Sequence, residues 1–368
     1  MKSRFLVLLL CVLMVASVMP MGVFAQDGGE SEVIAKLQEE MADNSGYWSS
    51  AANGGLRTRA PEPFTRIAGR DRFETALLIA EKAKAFFGGK LVNVIVASGM
   101  DYPDALGASA LASEMGAPIL LVNSKNLKEI AKYISVSLRN YNADARVGMV
   151  FIMGGTGAVP ASMETELAAA GIDGSRVVRF AGSDRFDTNL KMMDYTGVDD
   201  LLMVCSGKNY ADALSASAIG MPIMLVGDKL TEAQRAFIND RELDTFMLLG
   251  GNAAVSTTVE NELKVIADQY STGGVDRIAG TDRFLTATAF ADAVYGKTDH
   301  VTLTYGLNFP DGLSGCVINF MEGGPMLLAT TAQIKPAADY AKSMGIQSVH
   351  VLGGSSLISD EAVATLFQ

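Results

Sequence analysis

The chain writes one set of phrases three times, and this repetition limits its architecture more than any other feature. "RIAGRDRFET" at residues 66–75 returns as "RFAGSDRFDT" at 179–188 and as "RIAGTDRFLT" at 277–286, at separations of 113 and 98 residues. A second phrase follows each copy: "SGMDYPDAL" from Ser98, "SGKNYADAL" from Ser206 and "YGLNFPDGL" from Tyr305. A third comes next: "APILLV" from Ala117, "MPIMLV" from Met221 and "GPMLLA" from Gly324. A fourth closes the unit: "VFIMGGTGAVP" from Val150, "FMLLGGNAAVS" from Phe246 and "VHVLGGSSLIS" from Val349. Each unit runs to about 90–115 residues, the size of a small domain and too long for a solenoid repeat. The boundaries that follow are 64–175, 176–274 and 275–368.

The texture of a unit is α/β. "LLIAEKAKAFF" has the apolar spacing of a helix, while "VNVIVAS", "PILLVN" and "VGMVFIMGG" are short apolar runs ending in turn residues. Short runs of this kind between amphipathic stretches predict buried parallel strands with crossover helices. Each unit is therefore expected to be a three-layer α/β sandwich. The first helix of the second unit, "NLKMMDYTGVDD", reads as shorter and poorer than its counterparts.

Residues 1–25 predict an export signal. Lys2 and Arg4 precede the apolar run "FLVLLLCVLMVASV", and Ala25 ends a plausible cleavage site. Cys11 sits too early for lipid attachment. No later run is apolar enough to span a bilayer, so no membrane span is expected after cleavage. Cleavage leaves 28 basic against 41 acidic residues, a formal charge of −13. That surface disfavours nucleic acid, whose binding rests on neutralised phosphates. It disfavours docking on anionic lipid for the same reason. The two remaining thiols, Cys205 and Cys316, fall in apolar runs and are expected to be buried and free. Residues 26–63 match no repeat. "SEVIAKLQEEMA" could form one amphipathic helix there, followed by a turn-rich linker holding Trp48.

The candidate site residues are those the repeats keep. Asp71, Asp184 and Asp282 stand where helix N-caps belong, with Glu74 and Asp187 three residues on completing a capping-box pattern that Leu285 lacks. The next residue is Arg72, Arg185 or Arg283. Arginine in a first helical turn opposes the macrodipole, so it calls for a tertiary partner: a carboxylate of the same chain or an anionic ligand. In the second phrase Asp104, Asp212 and Asp311 read as first-turn acids, and Asp104 is a natural partner for Arg72 across the sheet edge. Tyr102, Tyr210 and Phe309 lie beside these acids, placed either for stacking on a sugar ring or for packing. The pairs Gly154–Gly155, Gly250–Gly251 and Gly353–Gly354 follow strands, where open α/β sheets gather ligands and bare amides suit an anion. No nucleotide loop, Gly-x-Ser-x-Gly elbow, His-Glu-x-x-His or Cys-x-x-Cys occurs. His300 and His350 have no matching histidine in the other units. Paired carboxylates for glycoside hydrolysis stay formally open. Three equivalent sites suit multivalent binding to a repeating polymer better than catalysis.

Taken together, "RIAGRDRFETA", "SGMDYPDAL", "APILLV" and "MGGTGAV" resemble the cell wall-binding repeat type 2 family, which occurs as threes in surface proteins of Gram-positive bacteria. The resemblance covers about residues 64–368. It implies three Toprim-like (Rossmann-like) α/β modules with parallel sheets about a pseudo-threefold axis. It also implies a secreted, non-enzymatic protein held non-covalently at the cell wall by an anionic wall polysaccharide, with no cofactor. The candidate polymer contacts, read from the repeated phrases themselves, are Arg72, Tyr102, Asp104, Gly154, Gly155, Arg185, Tyr210, Asp212, Gly250, Gly251, Arg283, Asp311, Gly353 and Gly354. The alternatives are a secreted wall hydrolase and a self-assembling surface-layer component. Ala211, Gly312 and Tyr305 depart from the second phrase's pattern. A chain at −13 repels an anionic polymer at long range, so binding requires a local positive concavity around the three arginines, or a bridging divalent cation.

Overall fold

The structure, a computed structural model, describes residues 64–368 apart from 109–110, 113–114, 144–145, 199–200 and 271–272. The expected export signal, Cys11, Trp48 and the 26–63 segment lie outside the described residues. Three four-stranded parallel sheets account for the strands. The first holds β2 (Val94–Ser98), β3 (Ile119–Val122), β4 (Val150–Met153) and β5 (Val177–Phe180) in the order β3-β2-β4-β5. The second holds β6 (Leu201–Ser206), β7 (Ile223–Val226), β8 (Thr245–Leu249) and β9 (Gly274–Ile278) in the order β7-β6-β8-β9. The third holds β10 (His300–Tyr305), β11 (Met326–Ala329), β12 (Ser348–Leu352) and β1 (Phe64–Ile67), in the order β11-β10-β12-β1.

The order carries a fact the phrases did not disclose. The strand that opens each repeat joins the sheet of the repeat before it. β5, which opens the second repeat, pairs with β4, and β9, which opens the third, pairs with β8. β1 has no predecessor and pairs instead with β12, so that Phe64 lies beside Val349 and Ile67 beside Leu352. The three modules thereby close into a ring, with each sheet completed by its neighbour.

Strands β2, β3 and β4 are buried on both faces because helices cover both sides. Ile95 and Ala97 of β2 enter one apolar cluster and the alternate Val94 and Val96 enter another, as a period of two requires. The helices after the first phrase are α1 (Arg72–Phe86), α2 (Arg185–Thr196) and α3 (Arg283–Val294), and they lie on β3, β7 and β11 of their own modules. The helix read as shorter than its counterparts, α2, has 12 residues, fewer than the 15 of α1 but as many as α3. Leu190, Met192 and Met193 are buried, so apolar contact sustains a helix that propensity alone left doubtful. One cluster joins Ile95 and Phe151 of the first module, Met203 and Phe246 of the second, and Phe284, Leu313 and Cys316 of the third. The core therefore runs across the module boundaries.

The third module differs on its inner face. Where β2 offers Ile95 and Ala97, β10 offers His300, Thr302 and Thr304 beneath α4 (Pro310–Glu322). Its His300 and His350 rings touch, with Nε2 and Nδ1 3.3 Å apart. Cys205 and Cys316 are free and buried, and burial pushes the Cys316 thiol up to about 12.

Candidate binding clefts at the module boundaries

Local chemistry fixes the start of each first-phrase helix. The Asp71 carboxylate accepts from the amides of Phe73 and Glu74 at 3.0 and 2.9 Å, and Asp184 and Asp282 repeat the arrangement. The reciprocal acid reaches one residue further back than a capping box does. Glu74 accepts from the Arg70 amide at 2.6 Å and Asp187 from the Ser183 amide at 2.8 Å. A threonine missed in the sequence reading completes the turn in all three copies. Thr75 donates to the Asp71 carbonyl and accepts from the Gly69 amide, both at 3.0 Å, and Thr188 and Thr286 do the same.

The arginine after each cap finds its first partner within its own module. Arg72 donates to the Gly99 carbonyl at 2.7 Å, Arg185 to Gly207 at 2.7 Å and Arg283 to Gly306 at 2.8 Å. Neither a carboxylate nor a ligand was needed for that role. The neighbouring phenylalanine explains the glycines: a Cβ on Gly99 would lie 2.4 Å from the Phe73 ring. The guanidinium then reaches across the boundary to the preceding module. Arg283 donates to the Tyr210 hydroxyl at 3.1 Å and lies 5.4 Å from that ring's centroid, while Arg72 lies 5.7 Å from the Phe309 centroid.

The acids of the second phrase look across the same boundaries. The pairing of Asp104 with Arg72 expected from the sequence does not form. The arginine charge felt by Asp104 is that of Arg185; Asp212 faces Arg283 and Asp311 faces Arg72. Ring closure is the reason, since each acid stands at the edge where the next module docks. Burial raises the pKa of all three carboxyls, that of Asp212 to about 6, and the facing arginines only partly oppose it. At Asp104 the charges of Asp101 and Asp184 raise it further.

Each of these carboxylates lies against the first glycine of its module's pair. A Cβ on Gly154 would meet the Asp104 Oδ2 at 2.6 Å, and Gly250 and Gly353 stand in the same relation to Asp212 and Asp311. All three have φ near +100°, the left-handed half of the map, so glycine is required twice over. The amides of these glycines are spent on the incoming strand: Gly154 donates to Phe180, Gly250 to Ile278 and Gly353 to Ile67. The carbonyls are spent on the arginine that opens the first phrase, which the sequence reading passed over. Arg66 donates to the carbonyls of Gly353 and Ile358 at 2.8 Å each and to the Asp360 carboxylate at 2.6 Å. Arg179 binds Gly154, Val159 and Glu164, and Arg277 binds Gly250 and Glu260. The second glycines, Gly155, Gly251 and Gly354, sit beyond this lock, with open space where a Cβ would stand on Gly155 and Gly251.

Tyr102, Tyr210 and Phe309 come from three modules and meet one another. Their ring centroids are 5.4, 5.5 and 6.1 Å apart, an aromatic triangle at the centre of the ring. Around it the module boundaries meet at the carboxyl ends of the strands. Between the first and second modules lies a cavity of about 380 Å³ lined by Asp101, Asp104, Gly155, Asp184, Arg185 and Thr188, among others. Among the described residues no group of three or more His, Cys, Asp or Glu side chains is placed to hold a metal ion, and no helix is long and apolar enough to cross a membrane. His300 opens β10 at the end away from the carboxyl ends of the strands and His350 lies on β12 beside Thr302, and burial lowers the pKa of His300 to about 4 and that of His350 to about 2.

Comparison with known proteins agrees with this geometry. The chain matches Cell wall binding domain 2 (CWB2) over residues 66–164, 179–260 and 277–363. It is 25% identical over 307 residues to the N-acetylmuramoyl-L-alanine amidase LytC of Bacillus subtilis (strain 168), spanning 82% of this chain and 57% of the amidase. It is 26% identical over 308 residues to the Amidase enhancer of the same organism, spanning 82% of this chain and 40% of that protein. The solved structures of Cwp6 and Cwp8 from Clostridium difficile share the fold, with TM-scores of 0.69 and 0.71 at 20% and 24% identity. They cover 86% and 83% of this chain, which in turn spans about half of each. Three matched segments, each with the same cap, arginine, acid and glycine pair, place the chain in the Cell wall binding domain 2 family.

Proposed function

We propose that the chain is a non-enzymatic, exported protein that attaches non-covalently to the bacterial cell wall, its three boundary clefts holding an anionic wall polymer. The observation that carries this reading is the threefold recurrence of Arg72, Arg185 and Arg283 at the module boundaries, Arg185 lining the cavity between the first and second modules. A guanidinium held by one carbonyl keeps further N–H donors for a phosphate or carboxylate oxygen, and the fork geometry suits both. Local donors of this kind offset the repulsion of an acidic surface, which salt already screens beyond about 8–10 Å. Three weak seats on one rigid body gain avidity on a repeating ligand. The partly exposed rings of Tyr102 and Tyr210, backed by the buried Phe309, offer an edge on which a sugar face would rest between charged groups.

The test is sedimentation of purified protein with native Gram-positive walls. The expected result is retention with no fall in turbidity and no released sugar, and loss of retention in Arg72→Ala/Arg185→Ala/Arg283→Ala at unchanged circular dichroism. Steady release of sugar or peptide would establish the hydrolase instead. Concentration-dependent sheets without wall binding would establish the surface-layer component.

A further inference from the structure

We infer that the cavity between the first and second modules takes an uncharged sugar ring of the wall polymer and not its anionic group. This rests on the polymer-binding reading above and goes beyond it by assigning one part of the repeating unit to one boundary.

Charge excludes the anion first. The charged side chains lining this cavity are Asp101, Asp104, Asp184 and Arg185, three acids against one arginine, or −2 with every group ionised. Among the described residues none of the four forms an ion pair with a group outside the set, so nothing beyond it cancels that charge. Even with Asp104 protonated the set stays at −1. A phosphate or carboxylate entering here meets net repulsion at short range, where salt screens least.

The same lining suits a sugar, which presents hydroxyls that both donate and accept and C–H faces that are apolar. Asp101 spends Oδ1 on the Tyr102 amide and Asp184 spends Oδ1 on the amides of Phe186 and Asp187, each at 2.9 Å. Among the described residues their Oδ2 atoms are left to accept from hydroxyls. Arg185 donates from Nη1 to the Gly207 carbonyl at 2.7 Å and keeps its other N–H groups for a hydroxyl oxygen. It keeps them because the Tyr102 hydroxyl donates to the Lys208 carbonyl at 2.8 Å, whereas the Tyr210 hydroxyl accepts from Arg283. Met100, Pro103 and Met153 add apolar wall, and Met100 is 69% exposed at the rim. The volume of about 380 Å³ falls within the range of about 300–1,000 Å³ usual for ligand pockets and suits a short stretch of glycan. The rim belongs to this module alone, since Met100 and Asp101 stand where the second has Lys208 and Asn209 and the third has Leu307 and Asn308.

The experiment measures binding of the full chain, at low and at high salt, to two kinds of probe beside native walls. The first is a panel of uncharged oligosaccharides of glucose, galactose, mannose, N-acetylglucosamine and N-acetylgalactosamine; the second is poly(glycerol phosphate), an anionic polymer without sugar rings. At least one oligosaccharide should bind, with an affinity that salt leaves unchanged. Met100→Lys with Asp101→Asn installs the second module's residues at two exposed positions and so spares the fold. It should weaken oligosaccharide binding about tenfold and shift preference toward poly(glycerol phosphate). Arg185→Ala should abolish oligosaccharide binding. Retention on walls with no oligosaccharide bound, or oligosaccharide binding that Met100→Lys/Asp101→Asn leaves intact, overturns the inference and leaves the polymer reading standing. Oligosaccharide binding without wall retention upholds the assignment of the cavity and overturns the polymer reading. A wild-type chain that ignores walls and both probes overturns both.

Discussion

Arg66, Arg179 and Arg277 read in the sequence as the first letter of a phrase, and in the structure they are the clasps of the ring. Each holds the glycine-pair loop of the preceding module through carbonyls and a carboxylate. Their role was illegible because their carbonyl partners lie in the fourth phrase of a different repeat: Arg66 and Gly353 are 287 residues apart. The caps Asp71, Asp184 and Asp282 were legible because a cap's partners lie two and three residues on. Asp212 gives a prediction at this scale. Its pKa is raised from an ordinary 3.8 to about 6 by burial. A raised carboxyl contributes stability that is complete below the unfolded pKa and is lost as pH rises through the folded one. At pH 7 the ionised side chain therefore costs on the order of 3 kcal/mol relative to pH 4. The stability of Asp212→Asn relative to the wild type should rise by roughly that amount between pH 4 and pH 7 in urea titrations. A difference that does not change with pH would show that this carboxyl titrates normally.

At the scale of elements, the strands and helices announced themselves through apolar runs, but their grouping did not. "FTRI", "VVRF" and "GVDRI" look like the natural openings of their repeats, and nothing local reveals that each completes the sheet before it. Periodicity reports which face a residue buries, not which neighbour covers it. The same limit made α2 look weak, since its support comes from the shared core and not from its own composition. Among the described residues strand β1 is the pairing partner on that edge of β12, and the Lys82–Glu322 ion pair between α1 and α4 adds a partly exposed contact at the same seam. A chain beginning at Ala68 should therefore lose amide protection first in β12 and β10, before the first and second sheets, in hydrogen exchange read by mass spectrometry. Uniform loss across all three sheets would contradict that order.

At the scale of the molecule, the triplicated phrases made the α/β class and the number of modules legible, and cyclic closure followed only from the pairing of β1 with β12. Because one apolar cluster spans three modules, calorimetry should give a single transition whose van't Hoff and calorimetric enthalpies agree. Three resolved transitions would mean that the modules melt alone. The passing of one strand from each module to its predecessor also imposes a rule of counting. A tandem duplication that added a fourth unit would insert a donor and an acceptor edge into a circle already full. Loss of one unit would leave two sheets whose angle of approach was set for three. Copy number in such a chain is thus held by geometry, and sequence drift is free to act on the rims of the clefts while the total stays at three.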